Sequence, residues 1–586
     1  MKILKNLIFL LTSDERKQGG FLLVMIIIMA FLDMLGVASI LPFMSVVTDP
    51  GLVDNNLILN YMFQFSNNFG VQNKDQFIIF LGFFVFIIII LSLSFKVFTT
   101  YMQLNFIEMR EYSISKRLIE GYLHQPYSWF LSQHSSNLGK NILSEVQQIV
   151  AKGFRPMIEL ISKSIVATAI IILLISIDTK LSFFVGLTLF LVYFTIFYFV
   201  RSYLNLSGEK RLKFNGIRFK VVNESFNATK EVKIGGLEEV YMANFSNAAE
   251  IYAKTRASSQ AISLLPRFIL EAIAFGGILL IMLYMMTKSG NFNSALPVIS
   301  LYIFAGYRLM PALQQIYSSF TSLTFISPSL NKLKEDLKKL KISNNINYDN
   351  NVLKFKKNIT LKNVYYNYPN TSRAALKNIN ICISAKSKVG IIGATGSGKT
   401  TTIDIILGLL EPCKGTLNVD GKIITKQNVR SWQRLIGYVP QSIYLSDDTI
   451  AANIAFGVNS KYINKNRIEE VSRIANFHKF ILEELPNQYE TKIGERGVRL
   501  SGGQRQRIGI ARALYHNPRL LIFDEATNAL DNETEKAVME AINNINREMT
   551  VILIAHRIHT LQKCDFILKI ENGEIVSNHQ YKDLLD

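Results

Sequence analysis

Cysteine is scarce. The chain has three among 586 residues, Cys382, Cys413 and Cys564, all in its second half and far apart. That scatter supports neither a disulfide framework nor a zinc site, and a reducing compartment is expected for that half. Acidic residues are in deficit: 45 Asp and Glu stand against 64 Lys and Arg, a formal charge of +19. Basic chains can bind nucleic acid, but no nucleic-acid motif and no basic stripe interleaved with aromatics occurs, so nucleic acid is not an expected partner. The N-terminus has no short apolar core ending in small residues, so its first apolar run reads as a retained span and not a cleaved signal. No internal repeat is present.

Apolar residues are abundant instead, at 49% of the chain, and they concentrate in the first half. A bilayer crossing needs about 20 apolar residues in succession. Six runs meet that length: 21–47, 77–102, 157–177, 181–204, 262–286 and 295–321. Residues 1–11, with Lys2 and Lys5 breaking the apolar pattern, read as a helix along the membrane surface. Lys2, Lys5, Arg16 and Lys17 precede the first span, and the loops 103–156 and 205–261 are rich in Lys and Arg. The loop 48–76 carries Asp49, Asp54 and Asp75 against Lys74. Lys and Arg bias then puts both termini and both long loops in the cytoplasm. The long loops are periodic and charged, as helices leaving the membrane would be, with turns at 125–138 and at Gly235-Gly236. A membrane unit over 1–330, a polar linker over 331–351 and a second unit over 352–586 follow.

The second unit turns on Gly393-Ala394-Thr395-Gly396-Ser397-Gly398-Lys399-Thr400, which fits G-x-x-x-x-G-K-[ST]. The apolar strand 389–392 precedes it and the helical stretch 401–410 follows, the context this phosphate-binding loop requires. Its glycines let backbone N–H groups turn toward phosphates, and the helix N-terminus adds a favourable dipole. Lys399 reaches the β- and γ-phosphates in this motif, and the Thr400 hydroxyl holds Mg²⁺. Leu500-Ser501-Gly502-Gly503-Gln504 opens another helix. The apolar run 520–524 ends in Asp524 and Glu525, and strand alternation sends two such carboxylates to different sides, one toward a metal and one toward water. A second buried strand, 551–555, ends at His556, and Gln441 follows the strand 435–439. Singly, Tyr368, Gln441 and His556 read as surface or strand-end residues; it is their joint spacing that is informative.

With these motifs the chain resembles ATP-binding cassette exporters along its whole length. The resemblance implies an α-helical six-span transmembrane domain of the type I exporter kind, followed by an α/β P-loop ATPase domain. It also implies ATP and Mg²⁺ as cofactors. Tyr368 would stack on adenine. Gly393, Thr395, Gly396, Ser397, Gly398, Lys399, Thr400 and Thr401 would surround the phosphates. Gln441 would ligate Mg²⁺ and sense the γ-phosphate, beside Thr400 and Asp524 as metal ligands. Glu525 would polarise the attacking water, and His556 would contact the γ-phosphate. Ser501, Gly502, Gly503 and Gln504 form the signature, which in this family meets ATP bound to the partner subunit. One cassette and six spans therefore imply half a transporter, working as a homodimer in the lipid bilayer. A departure is Lys492 in Thr491-Lys492-Ile493-Gly494, where the family usually has a glutamate.

Cargo must be read from the membrane half. Ionisable residues within spans are costly and default to function. Asp33, Lys96, Arg267, Glu271 and Arg308 are such residues, and cations outnumber anions. Pairing of Arg267 with Glu271 and of Asp33 with Arg308 is the bland reading. An anionic cargo held by Lys96, Arg267 and Arg308 is the functional one. Leu265-Pro266-Arg267-Phe268-Ile269-Leu270-Glu271, Gly306-Tyr307-Arg308-Leu309-Met310-Pro311 and the region from Ala30 to Phe43 look like those of bacterial lipid-linked oligosaccharide flippases of the PglK type. That resemblance implies an inner-membrane translocase for a polyprenyl-diphosphate-linked glycan, an anionic glycolipid. The alternatives are export of another lipid, a drug or a peptide, or an ATP-gated channel or regulatory membrane ATPase. The absence of cysteine before Cys382 argues against a peptidase segment.

Overall fold

The computed structural model describes residues 2–177, 179–289, 292–340, 353–369, 371, 373–494, 497–525, 531–545, 549–555 and 558–581. The chain divides into two compact units. The first is Met1–Gln125 with Gln133–Ile342; the second is Pro126–Ser132 with Ser343–Asp586.

The regular structure of the first unit is all helical among its described residues. Four stretches are long and apolar enough to cross a membrane among the described residues: Ser13–Thr48, Lys74–Leu123, Ser135–Ser176 and Gly186–Asn227. The other two apolar runs of the sequence lie on the helices Glu238–Ser289 and Phe292–Lys339. The Lys74–Leu123 helix leaves Ile79, Phe83, Phe86, Ile87 and Ile90 exposed over successive turns. A continuous apolar face of that kind is unfavourable in water and suits lipid.

The charged loops between spans continue the same helices, because their apolar residues keep the helical period. Arg211, fully buried, pairs there with Glu145 at 2.8 Å, and Asn215 donates to the second Glu145 oxygen at 2.8 Å. The N-terminal helix Lys2–Leu10 buries Leu7 and Leu10. It is pinned by Asn6 to Asn331 and Lys334, and the Leu10 carbonyl accepts from Arg117. These partners lie beyond the apolar runs of their own helices, so this helix packs on charged helix extensions, while Ile8 and Phe9 remain exposed. Likewise, the Phe292–Lys339 helix runs through the start of the expected linker. Leu333, Leu337 and Leu340 recur at helical spacing among the lysines and are buried, so a stretch polar in composition is amphipathic in three dimensions.

The second unit contains two sheets. Strands β1 (Asn358–Tyr366), β2 (Leu376–Ser384), β4 (Lys414–Val419) and β5 (Lys422–Ile423) form an antiparallel sheet in the order β2-β1-β4-β5. The other sheet has the order β10-β9-β3-β8-β7-β6. It comprises β3 (Lys388–Ile392), β6 (Ile436–Val439), β7 (Leu520–Asp524), β8 (Thr550–Ile554), β9 (Phe566–Glu571) and β10 (Glu574–His579). All its pairings are parallel except β9–β10. Parallel strands are covered on both faces, which explains why β7 and β8 are buried at every position and read as unbroken apolar runs. Burying Leu520, Leu521, Ile522 or Phe523 stabilises the fold by about 1.5–3 kcal/mol each.

Candidate functional site

Parallel strand order places the chemistry. With β3, β8, β7 and β6 adjacent and running the same way, the residues after each strand emerge along one edge, where open α/β sheets bind ligands. The glycine-rich loop follows β3, Asp524 ends β7 with Glu525 after it, and Gln441 follows β6 by two residues. His556 follows β8 and lies outside the described residues.

The loop between β3 and the helix Lys399–Ile406 has the backbone shape that its glycines permit. Gly396 has φ +80°, a region side chains rarely adopt. A Cβ on Gly393 would lie 2.2 Å from the Ile570 carbonyl oxygen and 2.7 Å from Ser397 Oγ, so no larger residue fits. Lys399 Nζ donates to the Gly393 and Ala394 carbonyls at 2.8 and 3.0 Å. Ser397 Oγ is buried with no hydrogen-bond partner among the described residues. A loop that holds a lysine ammonium at its mouth and an unpartnered hydroxyl in its floor fits a phosphate chain.

A cleft of about 510 Å³ opens over this loop. Tyr368, Thr395, Gly396, Gly398, Lys399, Thr400, Thr401, Gln441 and Glu525 all line it. The Tyr368 hydroxyl is 3.0 Å from Thr401 Oγ1, which fixes the ring beside the start of the helix. Arg373 and the Asn572-Gly573 turn between β9 and β10 line the cleft as well, and sequence reasoning missed them. Arg373 carried a weak signal, a lone cation five residues after Tyr368. The turn carried none, because only sheet order brings β9 beside β3.

Asp524 is 6% exposed and accepts a hydrogen bond from the Tyr438 hydroxyl at 3.1 Å. Burial, with the charge of Glu525 added, raises its carboxyl above the usual range, opposed by the Tyr438 bond and by Lys399. Burial and the Asp524 charge likewise raise the Tyr438 phenol. Glu525 accepts from Gln441 Nε2 at 2.8 Å. The two carboxylates take different partners, Tyr438 and Gln441, and the regular strand ends between them. Glu525 lies beyond β7 with φ +52°, a left-handed conformation costly for a residue with a Cβ, so strand alternation does not apply to it. Asp524 itself does not line the cleft, whereas Thr400 and Gln441 do; a buried carboxylate and these oxygen donors are the ligand types that suit a hard divalent cation.

Ser501 caps the helix Gly502–Tyr515. Its Oγ accepts from the Gln504 backbone at 3.2 Å, and Gln504 Oε1 accepts from the Ser501 backbone at 2.8 Å. Ser501, Gly502, Gly503 and Gln504 do not line the cleft.

In the membrane unit, Arg308 Nη1 and Asp33 form a hydrogen-bonded ion pair. Ser92 donates to the same carboxylate at 2.9 Å, and Lys96 lies 3.5 Å from it. The Asp33 side chain is 2% exposed, Arg308 19% and Lys96 36%. Arg267 does not join them: it pairs with Glu271 of its own helix at 2.8 Å, with both side chains well exposed.

Residues 376–528 match the family model described as ABC transporter, and residues 19–309 match the one described as ABC transporter transmembrane region. The chain is 31% identical over 500 residues to the Heterocyst differentiation ATP-binding protein HepA of a Nostoc species, covering 84% of this chain and 79% of that one. It is 29% identical to the ATP-dependent lipid A-core flippase of Wigglesworthia glossinidia brevipalpis over 81% of each chain. Among solved structures, a bacterial Atm1-family ABC exporter with ATP bound matches with a TM-score of 0.79 at 21% identity, over 96% of both chains. That likeness speaks for the fold.

Proposed function

Because the chain belongs to the ATP-binding cassette exporters, as a half-transporter with one transmembrane region and one ATP-hydrolysing domain, we propose that it is a bacterial inner-membrane flippase that works as a homodimer and moves a polyprenyl-diphosphate-linked oligosaccharide to the outer leaflet. The observation that carries the cargo reading is the cation excess around Asp33. Arg308 and Lys96 share one buried carboxylate, which leaves net positive charge on two spans. A diphosphate leaving water needs such partners, since an unpaired buried charge costs several kcal/mol. Arg267, tied to Glu271, offers a weaker contact.

Hydrolysis rests on the cleft. Mg²⁺ bound with ATP neutralises charge on the phosphoryl oxygens. Lys399 would exchange its loop carbonyls for phosphate oxygens, while Thr400, Asp524 and Gln441 would hold the cation. Glu525 would orient and deprotonate water, and His556 would donate toward the γ-phosphate. Tyr368 would cover the adenine.

Two observations favour a second copy. Ser501 and the glycines after it do not line the cleft of their own chain, which leaves them available to a nucleotide held by a second copy. Phe226, Ile234 and Val240, at a turn between two membrane-unit helices, are 76%, 89% and 55% exposed, an apolar patch that suits a partner surface. Lys and Arg placement supports cytoplasmic termini.

The printed name of the Wigglesworthia relative favours one other reading, a lipid A-core type of phosphoglycolipid. Reconstitution separates them: ATP-dependent movement of a fluorescent or enzymatically detected polyprenyl-diphosphate glycan across vesicle membranes is the expected result. Movement of lipid A-core alone would replace the first reading by the second.

A further inference from the structure

Asp404 has no role in the residues assigned above. It lies on the helix Lys399–Ile406, one turn beyond Thr400, so the two side chains leave the same face of the helix. It is 8% exposed. Among the described residues its carboxylate has no ion pair and no side-chain hydrogen bond. Its charged neighbour is another acid: the Asp524 charge raises the Asp404 carboxyl, and both acids act on the Tyr438 phenol that donates to Asp524. Lys399 offsets Asp524; no basic group offsets Asp404.

Two buried carboxylates close enough for the charge of one to raise the other are unfavourable unless a cation compensates them. Thr400 and Asp524, the proposed metal ligands, would bring that cation when the nucleotide is bound. We infer that Asp404 is a positioning residue for the divalent metal, a fixed negative charge one helical turn behind Thr400 that strengthens metal binding without ligating the ion. Groups of this outer kind commonly change metal affinity tenfold or more. Burial and the Asp524 charge push the Asp404 carboxyl up to about 6, so at neutral pH it is ionised and uncompensated in the metal-free protein.

The test uses the full chain in detergent, with Mn²⁺ as the probe and ADP present. Asp404→Asn should weaken Mn²⁺ binding, read by electron paramagnetic resonance, by about three- to tenfold. ADP affinity in EDTA should stay the same or rise. The metal-free melting temperature should rise, since a repulsive buried charge is gone, and the gain on adding Mn²⁺ with ADP should shrink. Asp404→Glu should retain the greater part of the metal affinity. Unchanged Mn²⁺ affinity in Asp404→Asn would overturn the inference. So would a lower metal-free melting temperature or failure to fold, because either shows a carboxylate required by the fold itself.

Discussion

The Gln441 side-chain amide donates to the Glu525 carboxylate at 2.8 Å, across 84 residues of chain. The contact exists because β6 and β7 are parallel neighbours, so both residues emerge on one edge. It holds the proposed water-activating carboxylate over the cleft before nucleotide arrives. Glu525→Gln should therefore bind ATP normally and lose turnover by about a hundredfold or more. Steady-state ATPase alongside nucleotide binding checks this, and near-normal turnover would remove Glu525 from the role.

Ser501→Arg should abolish hydrolysis without weakening ATP binding to the cleft of the same chain, which Ser501 does not line. In a heterodimer of Ser501→Arg with Lys399→Ala, a trans arrangement leaves one site with both defects and one with neither. About half the activity is expected if the sites act independently. A cross-linked heterodimer with none would point to strict coupling or to a site completed in cis.

Arg308→Ala leaves the buried Asp33 with the more distant Lys96 and Ser92 alone, and should destabilise the protein by about 3 kcal/mol. Asp33→Asn in the same chain should restore much of that loss. Arg267→Ala breaks a well-exposed pair and should cost under about 1 kcal/mol. Melting temperatures and folded yield report these values. Flipping in the refolded double variant Asp33→Asn with Arg308→Ala then reports cargo binding separately from folding.

The Asp404 carboxyl, raised from 3.8 to about 6, makes metal-free stability pH-dependent. The native state binds the proton more tightly than the unfolded chain does, so this group favours the fold at low pH. That contribution is lost as pH rises from about 4 through 6, by about 3 kcal/mol in all. Denaturation in EDTA across that window should show a decline that is absent in Asp404→Asn. Parallel curves for the two proteins would contradict the buried-charge picture.

The sequence by itself determined whatever rests on contiguous residues. The loop from Gly393 to Thr400, the run ending in Asp524 and Glu525, and the long apolar spans each state their chemistry locally, because backbone shape, burial and bilayer length act over a few turns of chain. It also named Asp33 and Arg308 as a possible pair from opposite signs in apolar surroundings. Tertiary structure alone decided the rest. The joining of Gln441 to Glu525, of Tyr438 to Asp524, and of the Asn572-Gly573 turn to the cleft depends on the strand order β9-β3-β8-β7-β6, which no local pattern encodes. The left-handed backbone of Glu525 is likewise a feature that an acidic residue does not advertise. The amphipathic end of the Phe292–Lys339 helix read as linker because its lysines dominate the composition, whereas the burial of Leu333 and Leu337 is set by the fold around them. Which acid is repelled by which, and so what Asp404 does, follows from distances across the fold, since a charge has no fixed energy until its neighbours and its burial are set.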